Sequence, residues 1–270
     1  MSQRNLASRR AATSNLLPVG GIVSPQSIQG LAGWYDFSSA SLLGTGTSGT
    51  GSVADASTVG FATDRSGRGR NITQATANNR PAFLASWTNG LGALTFNGTT
   101  NFLTNATVPL SGTTPAFSFF AVFSRSTATS GTLACFGMNV GDWYNSSFGA
   151  NFSIWLTNAA GASTVPPFFA TASSVTNTPT VVVGTMKSGA SWFFTYRRNG
   201  TIAITSVNSG PIQSPAPTRS ISVGQITQGY LPVYYAGQIG EIGFYDREMT
   251  DAEAIALGRL LGAKWGISVA

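Results

Sequence analysis

The sequence predicts a single all-β sandwich domain, and three observations predict it. The chain combines 42% hydrophobic residues with 32 glycines, 12 prolines and 17 phenylalanines, which is enough apolar material for a real core cut by many turns. From Leu31 to about residue 246, short apolar runs alternate with Gly, Asn, Ser and Thr clusters, as strands joined by turns do. Sandwiches of 200 to 250 residues routinely form one unit, so 270 residues do not demand a second domain.

Residues 1–29 precede that pattern. They mix Arg, Ser, Asn and Gln and end in a Pro- and Gly-containing stretch, so they read as an extended arm, with residues 30–270 as the folded domain. Arg4, Arg9 and Arg10 make the arm basic. Its apolar stretch, Leu16 to Val23, is short and broken by Pro18 and two glycines, which fits neither a signal peptide nor a membrane span. The expected setting is therefore the cytoplasm, or a particle assembled there.

Phe117-Ser-Phe-Phe-Ala-Val-Phe-Ser124 carries apolar residues on both alternating faces, so it is expected to be a central strand covered on both sides. Phe152 to Leu156 and Thr180 to Gly184 are strands of similar character. Ser191 to Tyr196 and Thr201 to Thr205 flank Arg197-Arg-Asn-Gly200, where Asn199-Gly200 suits the positive φ pair of a type I′ hairpin turn. After a further strand ending near Tyr245, Thr250-Asp-Ala-Glu253 is a capping box. It opens a helix over about 250–264, whose Leu257, Leu260, Leu261 and Trp265 share one face.

The chemistry is limited by what is missing. With no histidine, Ser-His-Asp and Cys-His catalysis and His metal ligation are all excluded. The single cysteine, Cys135, excludes an intrachain disulfide and reads as a small core residue. The 15 basic residues outnumber nine acids, but only Arg65, Arg68, Arg70 and the Arg197-Arg198 pair cluster within the body, so nucleic acid is not an expected partner. Asp246 and Arg247 are expected to form a local ion pair or turn bond. Glu241 stands alone on its strand and reads as a buried acid bonded to loop amides.

Tyr235-Ala-Gly-Gln-Ile-Gly-Glu-Ile-Gly-Phe-Tyr-Asp-Arg-Glu-Met-Thr-Asp-Ala-Glu253 followed by Leu260-Leu-Gly-Ala-Lys-Trp-Gly-Ile267 resembles the closing strand and helix of the LamG-like, concanavalin A-like jelly-roll superfamily. Leu31-Ala-Gly-Trp-Tyr-Asp-Phe37, the loop from Asp64 to Asn71 and Ala93-Leu-Thr-Phe-Asn-Gly98 are similar to its opening strand, Ser-Gly-x-Gly loop and Phe-Asn-Gly hairpin. The resemblance, over about 31–267, implies two antiparallel sheets packed face to face as a jelly roll, one C-terminal helix, and a place among bacteriophage structural proteins. Glucanases of that superfamily set Glu, Asp and Glu at near-alternate positions of one strand, a cluster this chain lacks.

The expectation is thus a non-enzymatic virion structural protein, such as a capsid decoration, fibre or tail-associated component. It would dock through its arm (Arg4, Arg9, Arg10) on other virion proteins and on copies of itself, as an oligomer. A carbohydrate-binding module is the alternative and a glycosidase the third reading. The candidate glycan platform is the loop Asp142, Trp143, Tyr144 and Asn145, two aromatics flanked by hydrogen-bonding side chains. No cofactor is expected. A calcium site of backbone carbonyls with one or two of Asp36, Asp64 or Asp142 stays open.

Overall fold

The computed structural model describes residues 23–108, 116–126, 133–136, 144–145, 152–155, 168–170, 176–187, 191–209, 219–225 and 234–270. Among them the strands form two antiparallel sheets, of eight and nine strands. The eight-stranded sheet runs Thr201–Ser209, Ser191–Arg198, Thr180–Lys187, Phe117–Arg125, Ala236–Tyr245, Leu91–Asn97 and Ala82–Thr88, and Leu31–Asp36 also pairs with Ala236–Tyr245. The opposing sheet has Leu103–Val108 and Arg219–Val223 near its middle.

Phe117–Arg125 is the central strand, and all nine of its residues are buried. Phe117, Phe119 and Phe123 enter the core between the sheets with Phe194, Leu103, Ile221 and Val223. Phe120 and Val122 point the other way, where they meet Val181, Val183 and the helix residues Leu257, Leu261 and Trp265. Strand side chains alternate between faces, so a run that is apolar on both needs cover on both. The molecule therefore has three layers, with the helix Asp251–Trp265 lying on the outer face of the eight-stranded sheet.

Local chemistry sets the element ends. Asn199 (φ 47°) and Gly200 (φ 84°) turn the hairpin between Ser191–Arg198 and Thr201–Ser209. Thr250 accepts from the Glu253 amide while the Glu253 carboxylate accepts from the Thr250 amide, which closes the capping box. Gly266, at φ 66°, ends the helix.

Packing reaches back beyond residue 30. Pro25–Ser27 form a 3₁₀ turn, Ile28 is buried, and the Pro25 carbonyl accepts from the Tyr245 hydroxyl at 2.9 Å. Arg4, Arg9 and Arg10 lie outside the described residues. Of the local ion pair or turn bond expected of Asp246 and Arg247, a turn bond forms, from Arg247 to the Glu248 carbonyl at 2.7 Å, but the two side chains do not pair with each other. Arg247 instead clamps Glu253 (2.5 and 3.0 Å), and Asp246 faces Arg68 at 3.5 Å. Neighbouring residues past a strand end diverge, so each finds a partner on another segment.

The closing strand Ala236–Tyr245 is bordered by three strands. Along one side it pairs with the central strand, from Gly237↔Arg125 to Tyr245↔Ser118. Along the other, Ala236–Ile239 pair with Leu91–Asn97, and Glu241 to Tyr245 pair with the opening strand Leu31–Asp36. The handover falls at Gly240, where the register shifts and the carbonyl accepts from the Phe37 amide at 2.9 Å. A Cβ there would lie 2.5 Å from the Trp265 ring and 2.8 Å from Trp87, so only glycine lets the helix end approach this closely.

Candidate functional site

That close approach brings together a cluster that none of its segments announces. In the opening strand, Trp34 and Asp36 are two residues apart and share the outer face. Asp36 is directly opposite Glu241 of the closing strand. Two carboxylates facing each other across a ladder repel, and the last helical turn supplies the remedy. Lys264 Nζ lies 2.8 Å from Asp36 Oδ2 and 2.7 Å from Glu241 Oε2.

The remaining acceptor positions are filled as well. Glu241 Oε1 accepts from the Trp34 indole at 2.7 Å, and Oε2 from the Trp265 indole at 2.8 Å. Asp36 Oδ2 accepts from Arg65 at 2.6 Å and Oδ1 from the Ser38 amide at 3.1 Å. The Arg65 guanidinium stacks 4.3 Å above the Trp34 ring. Two acids and two bases make the cluster formally neutral, and Glu241 and Asp36 are only 1% and 3% exposed.

The two acids are shifted in opposite directions. Burial raises the Glu241 pKa, and Asp36 nearby adds to that, against the lowering pull of Lys264. Burial acts on Asp36 too, but Lys264 and the Ser38 bonds overcome it and hold the carboxyl below its ordinary range. A desolvated acid beside an ion-paired one is an acid–base couple in form. A glycosidase, however, holds the glycosidic bond between its two carboxyl groups, and here a lysine ammonium fills that place.

The other predicted residues fall elsewhere. Asp64 organises the Ser-Gly loop, accepting from Trp34 N (3.1 Å), Ser66 N and Oγ (both 2.8 Å) and Arg70 N (2.9 Å). Asp36 and Asp64 both accept from protein donors here, and among the described residues no three His, Cys, Asp or Glu side chains group together. Asp142 and Trp143 lie outside the described residues. Tyr144 and Asn145 are not in a loop. Their backbone forms a short strand between Ala134–Phe136 and Phe152–Trp155, with Tyr144 opposite both Cys135 and Trp155. Glu241 is buried as expected, but its partners are two indoles and a lysine rather than loop amides.

No family model and no curated protein matches this chain. Solved structures do. Domain 4 of AbnA, an extracellular GH43 arabinanase from Geobacillus stearothermophilus in complex with arabinotriose, aligns over 84% of this chain and 98% of its own, with a TM-score of 0.55 and 15% identity. A GH54 α-L-arabinofuranosidase aligns over 87% of this chain and 63% of its own, with a TM-score of 0.57 and 15% identity. The fold is a jelly-roll sandwich. A Trypanosoma rangeli sialidase contains a similar jelly roll, with a TM-score of 0.53 and 14% identity, and this chain spans 33% of its length. At such identities the jelly roll is shared and the chemistry is not transferred.

Proposed function

We propose that this jelly roll is a non-catalytic binding module that recognises carbohydrate. The observation that carries the reading is the commitment of both acids of the cluster, Asp36 and Glu241, to Lys264, Arg65 and two indoles, which leaves neither facing a substrate. The likeness to a whole arabinanase domain held with arabinotriose supports an oligosaccharide as ligand. The Trp143–Tyr144 segment is the proposed platform, since aromatic faces stack on sugar rings.

In its finer form the proposal makes the module a bacteriophage virion component that meets host glycans, docked through the basic arm of residues 1–29 as an oligomer. The arm's Arg4, Arg9 and Arg10 and the charge-poor composition of the body, at 9% charged residues, support that setting. Isothermal titration with arabinotriose and a panel of other oligosaccharides tests the binding. Saturable affinity that Trp143→Ala weakens about tenfold or more is expected, and no affinity for any member of the panel overturns the reading. Copy number by quantitative mass spectrometry of purified particles tests the setting: a fixed, high ratio to the major capsid protein is expected, and absence from particles overturns it.

A further inference from the structure

The cluster beneath the helix has the parts of a self-acylating site. We propose that Asp36 and Lys264 join through an intramolecular amide bond, with Glu241 as the catalytic residue that moves the proton. The nucleophile already touches both the oxygen of the carboxyl it would attack and the proton carrier: Lys264 Nζ lies 2.8 Å from Asp36 Oδ2 and 2.7 Å from Glu241 Oε2. Held this way, the two groups react as if at very high concentration, and the fold has already met the cost of bringing them together.

The step balances without any further reactant. The Lys264 ammonium first passes one proton to Asp36 Oδ2, giving a free amine and a carboxylic acid; because Lys264 and the Ser38 bonds hold the Asp36 carboxyl below its ordinary range, this pair is a minor state and the bond forms slowly. Nζ attacks Asp36 Cγ to form the C–N bond. Glu241 takes a second proton from Nζ and returns it to the departing Oδ2, which leaves as water when the C–O bond breaks. Nζ keeps its third proton as the amide N–H, and Glu241 ends as it began.

Each neighbour has a part in this scheme. The Ser38 amide, 3.1 Å from Oδ1, faces the oxygen on which charge develops, and Arg65, 2.6 Å from Oδ2, faces the leaving oxygen. The Trp34 and Trp265 indoles fix Glu241 and act as positioning residues. The pKa of Glu241, raised mainly by burial, makes it a better proton acceptor than an exposed carboxylate. The bond would tie the opening strand to the helix in a chain whose single cysteine rules out an intrachain disulfide.

Intact mass of the purified, folded full-length protein tests this directly. The wild type is expected to be lighter than its sequence by one water, and a digest should contain a branched peptide joining Asp36 to Lys264. Lys264→Arg keeps a cation between the carboxylates and is expected to run at full sequence mass. Asp36→Asn should form the same bond with loss of ammonia instead of water, and Glu241→Gln should slow or abolish it. If Glu241→Gln does not fold, wild type and Lys264→Arg still decide the question. A wild type at full sequence mass overturns the proposal, as does a loss of water that persists in Lys264→Arg or maps to another residue pair.

Discussion

The middle of the eight-stranded sheet is buried on both faces, but the two faces are held in different ways. Its inner face meets the second sheet mainly through apolar groups, with Phe117, Phe119 and Phe123 against Leu103, Ile221 and Val223. Its outer face meets the helix through Phe120, Val181, Val183, Leu257 and Leu261, and beside this apolar patch sits the Asp36–Lys264–Glu241 cluster. Dispersion and water exclusion are non-directional, so the inner face can trade one shape for another of equal volume. The outer face combines a smaller apolar patch with charges whose geometry admits few substitutes. The inner core thus supplies bulk stability, and the outer cluster fixes where the helix ends.

Ile239 and Glu241 are close on one strand and belong to opposite regimes, so they sharpen the contrast. Glu241→Ala leaves Lys264 short of a partner and two buried indole N–H groups without acceptors. Relative to a chain in which Asp36 and Lys264 are not joined, we expect it to destabilise by about 3–5 kcal/mol, the range for removing one member of a buried ion pair. Ile239→Leu, with volume kept, should cost less than about 1.5 kcal/mol. Urea denaturation of both variants at neutral pH measures the difference, and equal losses would erase the distinction between the faces.

The smallest expected effect concerns acid. Arg247 holds the Glu253 carboxyl down to about 2, from an ordinary 4.5. A carboxyl depressed by folding stabilises above its unfolded pKa, and that contribution fades as pH falls from about 4.5 towards 2. Asp36, also lowered, acts in the same direction wherever its carboxylate is not joined to Lys264. Glu241, being raised, acts in the opposite one, and its contribution is lost as pH rises past the usual carboxylate range. Glu253→Gln should therefore flatten the acid limb of a stability-against-pH curve. Its partly exposed ion pair limits the change to about 1 kcal/mol or less. A variant curve superimposed on that of the wild type would show that this pair contributes nothing.

Most of the fold was legible because its signals are local. Alternation within Phe117 to Ser124 announced a strand covered twice, Asn199-Gly200 announced its turn, and Thr250 to Glu253 announced the helix start. The cluster was not legible, because its members come from residues 36, 65, 241 and 264 and meet only when the first and last strands pair. Fragments of the signal were there: Trp34 and Asp36 at the spacing of one strand face, and Lys264-Trp265 at the end of an amphipathic helix. The sequence does not reveal that Asp36 would stand opposite Glu241. Adjacency was half right at Asp246-Arg247: Arg247 keeps a local bond to the Glu248 carbonyl, but the ion pairs go to Arg68 and Glu253. Polar flanks misled at Tyr144-Asn145, whose backbone is part of a sheet.

The pairing of Leu31 with Tyr245 and of Asp36 with Glu241 has a consequence for how the molecule is made. The middle of the eight-stranded sheet joins segments more than two hundred residues apart, so at least that much chain must be made before the opening strand meets its neighbour. Until then the central strand, apolar on both faces, has neither its closing partner nor its helix. Such late, non-local closure is slow and exposes strand surface to other chains while it lasts. Efficient maturation should therefore depend on how quickly Ala236–Tyr245 and Asp251–Trp265 settle once they are made, more than on any step earlier in synthesis.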